Sequence, residues 1–160
     1  MKMSREVKPP TVEDLKKVGI DIPLEGVVIL DIFTEWCGPC KQISPVLHAL
    51  QDEGLIKVVQ EDLDKNRPLA ENHNIQAIPT LVIFKDGKRI GDIPGEASNM
   101  SLVDFFQRAT QGLDVSLLKD GKEIEDLKGF EISIKRSLVK DGVMVGFPGE
   151  EALRQLVKDM

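Results

Sequence analysis

The pair Cys37 and Cys40 lies between a strand-like and a helix-like segment, and this placement constrains the fold more than any other feature. The residues before the pair, Val27 to Phe33, are mostly β-branched and apolar, which is typical of a strand buried on both faces. The residues after it, 42 to 50, carry apolar side chains at helical spacing. The two cysteines are therefore predicted where a buried strand turns into a helix.

The spacing of the two cysteines indicates thiol chemistry. Residues three apart on a helix share a face, so Cys37 and Cys40 can approach closely enough for a disulfide. Unpaired N–H groups and the helix dipole favour a thiolate at the helix N-terminus. Cys37 is nearer that terminus and is expected to be the outward nucleophile, with Cys40 as the resolving thiol. Pro39 fits the first turn, where its missing N–H has no intrahelical partner anyway.

Composition narrows the function classes. The chain has 160 residues, of which 41% are hydrophobic and 30% charged, and this is typical of one soluble domain with a small appendage. A net charge of −6 without a long basic run argues against nucleic-acid binding. The sequence predicts no membrane span, since its apolar runs are short, and the N-terminus has no visible secretory signal. Because two close cysteines are not a secreted disulfide framework, we expect a cytoplasmic protein.

The order of predicted elements indicates the α/β class. Residues 1–10 form a loose N-terminal arm, and residues 11–113 form one domain with a mixed central sheet and helices on both faces. Pro79 must mark a strand start or an edge, because it cannot donate to a central ladder. Asp86 and Gly87 predict a hairpin turn, followed by a returning strand that ends at Ile93.

Residues 114–160 form a small α+β extension of hairpins and a closing helix. The triplet Lys-Asp-Gly occurs at Lys85, Lys119 and Lys140, which we interpret as one turn chemistry used three times rather than a duplicated fold. A segment this small buries too little surface to be stable alone, so we expect it to pack on the first domain or on a second copy.

The surroundings of the cysteines resemble thioredoxin over residues 11–113. The resemblance is carried by residues around the cysteines, in the preceding strand and well downstream: Trp36, Gly38, Pro39, Lys41, Asp31, Ile78, Pro79 and Thr80. It implies the thioredoxin fold and a thioredoxin-type protein-disulfide reductase that acts by dithiol–disulfide exchange. Such a protein serves electron transport and cell redox homeostasis, with the Cys37–Cys40 disulfide as its redox-active centre and no added cofactor. Implied partners are disulfide-containing proteins and a thioredoxin reductase-type electron donor.

The resemblance also assigns roles to residues. Cys37 attacks, Cys40 resolves, and Asp31 is the buried carboxylate that relays protons to the resolving thiol. Gly38 and Pro39 tune the pair toward reduction. The substrate-binding residues implied are Trp36, Ile78, Pro79 and Gly95, with Pro79 held cis and the backbone of Ile78 pairing with substrate. One departure is Gln60, which stands where the family has a buried lysine beside the aspartate.

The sequence allows two other interpretations. A zinc site would need four ligands, and the chain offers the two cysteines with His48 and His73 at no ligand spacing, so no metal is predicted. The functional alternative is a thioredoxin-fold scaffold or adaptor, whose extension recruits a partner. An intact Cys-Gly-Pro-Cys motif favours the redox interpretation.

Overall fold

The computed structural model describes residues 7–109 and 113–160. The helices are α1 (Val12–Lys17), α2 (Gly38–Asp52), α3 (Arg67–His73), α4 (Leu102–Ala109) and α5 (Glu150–Asp159). The strands are β1 (Val27–Phe33), β2 (Lys57–Asp62), β3 (Thr80–Lys85), β4 (Lys88–Arg89), β5 (Ile93–Ser101), β6 (Leu118–Lys119), β7 (Lys122–Glu123), β8 (Glu131–Val139) and β9 (Val143–Val145). In this part of the chain no helix is long and apolar enough to cross a membrane.

The main sheet has the mixed topology that the sequence predicts. Its order is β2-β1-β3-β4, and β9 also pairs with β3. β1 runs parallel to β2 and antiparallel to β3, so the strand that leads to the cysteines is central. The side chains on both faces of β1 are buried, which explains why the strand is nearly all apolar.

Helices cover both faces of this sheet, which confirms the predicted fold class. Side chains alternate along β1, so that Ile29 faces the cluster containing α2 and α5, whereas Leu30 faces the cluster containing α1 and α3. Asp31 is two residues from Ile29 and therefore faces α2. That side of the sheet is where the cysteines lie.

The edge of β3 is shared between two segments far apart in sequence. β4 pairs only with the end of β3, and the predicted returning strand is cut short there. At Ile83 the carbonyl accepts from Ile90 N at 3.0 Å, while its N–H donates to Gly142 O at 2.8 Å. β9 then continues the edge. A Cβ on Gly142 would lie 2.8 Å from Arg89 Cβ, so glycine is required at this crossing.

The C-terminal strand and helix belong to the same core as α2. Met144, Leu153 and Leu156 are buried in one cluster with Ile43 and Leu47. This confirms that the extension adds strands and a helix, and its last part packs on the first domain as expected. β9 contributes apolar side chains to the core beside β3. The charged side chains of β4 could be buried there only at a desolvation cost.

The contacts divide the chain into two compact units. The first unit comprises residues 1–93 and 138–160, and the second comprises Pro94–Ser137. This division differs from the predicted domains 1–10, 11–113 and 114–160, because β9 and α5 return to the sheet of the first unit. It stays a prediction that residues 10 and 113 are the boundaries of independently folding parts.

The second unit contains a two-stranded pairing of β5 with β8, the helix α4 and the small hairpin β6–β7. Leu102 N, at the start of α4, donates to Phe130 O at 2.9 Å and so joins the helix to the segment before β8. The aspartates of all three Lys-Asp-Gly turns have positive φ near 50°, as the predicted hairpin turns require: Asp86, Asp120 and Asp141.

The described part of the N-terminal arm, residues 7–10, is anchored rather than loose. Lys8 N donates to His73 O at 2.8 Å, and Lys8 O lies 2.9 Å from His73 Nδ1. Pro10 is buried, and its carbonyl accepts from Arg89 Nη1 at 3.0 Å. His73 therefore has the structural role that the sequence predicts. Residues 1–6 of the arm lie outside the described residues.

Candidate active site

The cysteine pair sits in the first turn of α2. Cys37 is the N-cap residue, and its Sγ accepts a hydrogen bond from Cys40 N at 3.1 Å. Gly38 and Pro39 occupy the first helical positions, where the missing N–H of proline costs no helical hydrogen bond. Cys37 and Cys40 form a disulfide across a Cα–Cα distance of 5.3 Å. The predicted strand-to-helix placement and pairing are confirmed.

Exposure does not separate the two cysteines, although Cys37 was expected to be the outward one. Both are 5% exposed. What differs is the surroundings, since Cys37 Sγ receives a backbone N–H at the positive end of the helix. A hydrogen bond to sulfur at that end stabilises a thiolate in the reduced state. The attacking role of Cys37 therefore rests on helix position, and it stays a prediction.

Asp31 lies fully buried in the centre of β1, on the face turned toward α2. Gln60 is its direct neighbour on β2, and Gln60 Nε2 donates to Asp31 Oδ2 at 3.0 Å. Asp31 Oδ1 is buried and has no hydrogen-bond partner among residues 7–109 and 113–160. One carboxylate oxygen is thus held in place, and the other lacks any such bond within this part of the chain.

Burial raises the pKa of Asp31 above its usual range, because the charged carboxylate loses its hydration. The hydrogen bond from Gln60 and the nearby His48 act in the opposite direction, and burial outweighs both. The neutral amide of Gln60 supplies no positive charge. A raised pKa makes the Asp31 carboxylate a stronger base, which suits it to accept a proton.

A cleft of about 320 Å³ joins Asp31 to Cys40. Its walls include Asp31, Cys40, Ser44 and Gln60, and Gln60 Nε2 also lies 3.3 Å from Ser44 Oγ. Gln60 therefore connects the carboxylate on β1 to the hydroxyl on α2. The polar side chains of Asp31, Ser44 and Gln60 line the cleft, which is roomy enough to admit water between Asp31 and Cys40.

Trp36 precedes the cysteines and stays 73% exposed. Its Nε1 donates to Asp64 Oδ2 at 2.8 Å, which fixes the orientation of the indole. A large exposed aromatic ring held in one orientation is suited to contact another protein at low entropic cost.

Pro79 lies at the same end of the sheet as the cysteines. The Ile78–Pro79 peptide bond is cis, as the resemblance implies. Thr80 is paired with Ile32, near the end of β1 from which the chain runs on to Cys37. Pro79 is buried and Ile78 partly exposed.

The structure places a glycine beside Pro79 that the sequence interpretation missed. Gly146 N donates to Pro79 O at 2.9 Å, with a positive φ of 86° at Gly146. The predicted groove residue Gly95 lies in β5 of the second unit, where it is exposed. The missed signal is a repeated pattern, Lys-Asp-Gly-x-x-(Ile/Val)-Gly, which ends once at Gly91 and again at Gly146.

Among the described residues, no group of three or more histidine, cysteine and acidic side chains is arranged to hold a metal ion. The redox group of this site is the protein's own disulfide, which needs no added cofactor to exchange with a second disulfide.

Comparison with known proteins places this site in a family. Residues 20–108 match the sequence model of the thioredoxin family. Thioredoxin from Chlamydia trachomatis is 39% identical over 84 residues, which cover 52% of this chain and 82% of that protein. Thioredoxin from Bacillus subtilis is 43% identical over 79 residues, which cover 46% of this chain and 76% of that protein. A solved Fasciola hepatica thioredoxin aligns at 23% identity over 93% of each chain, with a TM-score of 0.47.

The matched residues make up more than half of the chain and include both cysteines, Asp31 and the cis-proline. A thioredoxin-type disulfide at a helix N-terminus acts by exchange with a second disulfide. This protein therefore belongs to the thioredoxin family and is a thiol–disulfide oxidoreductase.

Proposed function

We propose that the protein reduces disulfide bonds of other proteins in the cytoplasm, with Cys37 as the attacking and Cys40 as the resolving thiol. The observation that carries the proposal is the position of the pair in the first turn of α2, with Cys37 Sγ accepting the Cys40 N–H at 3.1 Å. In the reduced protein, the same hydrogen bond would favour the thiolate form of Cys37.

The first step forms a mixed disulfide. The Cys37 thiolate attacks one sulfur of the substrate disulfide, a new S–S bond forms, and the other substrate sulfur leaves as a thiolate. Trp36, Ile78 and Pro79 are proposed to receive the substrate, and the substrate-binding role that the resemblance implies for Gly95 stays a prediction. Gly38 and Pro39 are proposed to keep the pair tuned toward the reduced state.

The second step releases the product. Cys40 loses its proton and attacks Cys37 Sγ, which closes the Cys37–Cys40 disulfide and frees the second substrate thiolate. Asp31 is proposed to accept that proton, directly or through water in the cleft that both residues line. The unpartnered Oδ1 supports this role, and so does the raised pKa, because a stronger carboxylate base takes a proton more readily.

The cycle then needs two electrons from outside. We propose a thioredoxin reductase-type protein as the donor, since the closed disulfide must be reduced before the next turnover. The physiological role would be electron transport in cell redox homeostasis.

The test removes each thiol in turn. Cys40→Ser leaves the attacking thiol in place but removes the nucleophile that resolves the mixed disulfide. In the wild type this resolving step is fast because Cys40 is close to Cys37. We expect Cys40→Ser to accumulate covalent partners from a cytoplasmic extract, seen as bands that disappear on reduction. Cys37→Ser is the matched control and should capture almost none. Reduction of insulin by the intact protein with dithiothreitol as donor measures the same activity directly.

A scaffold is the second candidate, and one observation favours it. Large apolar side chains of the second unit are exposed, namely Leu113, Val115, Leu118 and Phe130. Exposed apolar side chains of this size are the kind that a partner protein can cover. A scaffold would hold its partner equally in both cysteine variants, and reductant would not release it. Equal, reductant-resistant capture, with no reduction of insulin, would contradict the reductase proposal.

A further inference from the structure

A glutamine side chain bridges the main sheet and helix α2 beside the disulfide. Gln60 Nε2 on β2 donates to Asp31 Oδ2 at 3.0 Å and to Ser44 Oγ at 3.3 Å. An amide nitrogen carries two hydrogens, so these two bonds use both of them. The amide of Gln60 is therefore held on one side by the carboxylate and on the other by the serine hydroxyl, and it cannot turn away from Asp31 without losing a hydrogen bond.

Ser44 lies on the face of α2 that carries the second cysteine. It follows Cys40 by four residues, a spacing that places two side chains on one face of a helix. Both residues line the cleft of about 320 Å³ that Asp31 also lines. The hydroxyl is thus fixed to the same helix as the thiol whose proton must move, and Gln60 ties that point of the helix to the carboxylate.

The bridge distinguishes the two carboxylate oxygens of Asp31. Oδ2 accepts the amide hydrogen of Gln60, whereas Oδ1 is buried and has no hydrogen-bond partner within the described part of the chain. A proton on Oδ2 would weaken that hydrogen bond, because the bond favours the charged oxygen. A proton that leaves Cys40 is therefore directed to Oδ1.

We propose that Ser44 is a positioning residue for the resolving step. Through Gln60 it holds Asp31 with Oδ1 free to accept the proton of Cys40, directly or through water in the cleft. The Cys40 sulfur then bonds to Cys37 Sγ, the bond from Cys37 to the substrate sulfur breaks, and that sulfur leaves as a thiolate. Amide and hydroxyl are neutral, so they orient the carboxylate without the charge of the lysine that the resemblance places at position 60. This inference rests on the proposed reductase function.

Other charged groups also face this carboxylate. Glu35 and Lys41 line the cleft, and His48 on α2 favours the charged form of Asp31. On β3 the residue paired with Asp31 is the apolar Leu81. The resolving thiol titrates together with the carboxyl, so an apparent pKa belongs to the pair. All of these groups are kept in the variants below, so that differences between pH profiles report the bridge.

The experiment follows the two steps of exchange separately. Reduced protein is mixed in a stopped-flow instrument with dithiobis(nitrobenzoate), which releases one coloured thiolate when Cys37 attacks and a second when the mixed disulfide is resolved. Ser44→Ala should leave the first phase unchanged and slow the second about fivefold, the equivalent of about 1 kcal/mol, because one hydrogen bond of the bridge is lost. Ser44→Thr keeps the hydroxyl and should retain most of the wild-type rate.

The pH profile of the second phase separates positioning from structural damage. Its acid limb is the range in which the rate falls as Asp31 becomes protonated. The hydrogen bond from Gln60 lowers the pKa of Asp31, so loosening it in Ser44→Ala should move the acid limb to higher pH. Gln60→Lys places a positive charge beside the carboxylate and should move the limb to lower pH. Structural damage would slow the phase at every pH and leave the limb in place.

Three controls keep the result interpretable. Gln60→Met removes the amide, and Ser44→Ala should have no further effect in that background, because the serine acts through Gln60. Gln42→Ala changes an exposed residue of α2 outside the cleft and should leave both phases unchanged. Circular dichroism checks that each variant is folded. Ser44→Val and Ser44→Thr have the same shape but differ in the hydroxyl, and this pair decides the question if Ser44→Ala is not folded.

The outcomes distinguish this inference from the proposed function. A second phase with the wild-type rate and acid limb in Ser44→Ala would overturn the inference and leave the reductase function intact. A further slowing by Ser44→Ala in the Gln60→Met background would overturn the action through Gln60. Release of a single thiolate by the wild type, together with failure to reduce insulin, would overturn the proposed function and this inference with it.

Discussion

Replacing Leu153 by alanine tests whether the C-terminal helix is part of the redox unit. Leu153 is fully buried in α5 and belongs to the cluster that includes Ile43 and Leu47 of α2. Truncating a buried leucine loses the transfer free energy of the removed carbons and leaves a cavity, which together cost about 2–5 kcal/mol. Because the site is fully enclosed, we expect about 3 kcal/mol.

The assay is urea unfolding followed by far-ultraviolet circular dichroism, with a thermal scan beside it. For a chain of this size, about 3 kcal/mol corresponds to a melting temperature lower by roughly 6–12 °C. Leu118→Ala in the second unit is the matched control. Leu118 is 59% exposed, so its truncation should change the free energy of unfolding by less than about 0.5 kcal/mol.

The two variants distinguish a C-terminal helix that is part of the core from one that is a separate appendage. If α5 were a separate appendage, Leu153→Ala would leave the main transition where it is in the wild type. Equal stability of Leu153→Ala and Leu118→Ala would refute the reasoning, because no fully buried leucine can lose its side chain without cost.

The remaining predictions concern the site. Cys37 should be alkylated at neutral pH well before Cys40 in the reduced protein, since the helix terminus favours its thiolate; equal labelling, measured by mass spectrometry, would remove the proposed assignment. Asp31→Asn should make the oxidised protein more stable than the wild type at neutral pH. The folded pKa of Asp31 is raised, so the wild type has its full stability below the ordinary carboxyl pKa of 3.8 and loses part of it as the pH rises through the folded value. Denaturation across pH should show the two curves meeting at acidic pH, whereas a constant gap would mean that Asp31 titrates normally.

The site itself could be predicted well from sequence because its signals are local. The N-cap position of Cys37 follows from an apolar strand, a Cys-Gly-Pro-Cys motif and an amphipathic helix that are adjacent in the chain. The cis bond before Pro79 and the buried Asp31 came from a resemblance to a family. Equal burial of the two cysteines and the unpartnered Oδ1 of Asp31 could not be predicted, because both depend on packing between β1, β2 and α2.

The sequence by itself determined the elements whose causes are local. Asp-Gly fixes a hairpin turn because both residues tolerate positive φ, and helical spacing of apolar residues fixes the buried face of α2. It did not determine which copy of Lys-Asp-Gly-x-x-(Ile/Val)-Gly completes the edge of β3, since both copies have the same local preferences. Tertiary burial decided this. The second copy offers Val143 and Met144 to the core, where the first would have to bury Lys88 and Arg89 at a large desolvation cost.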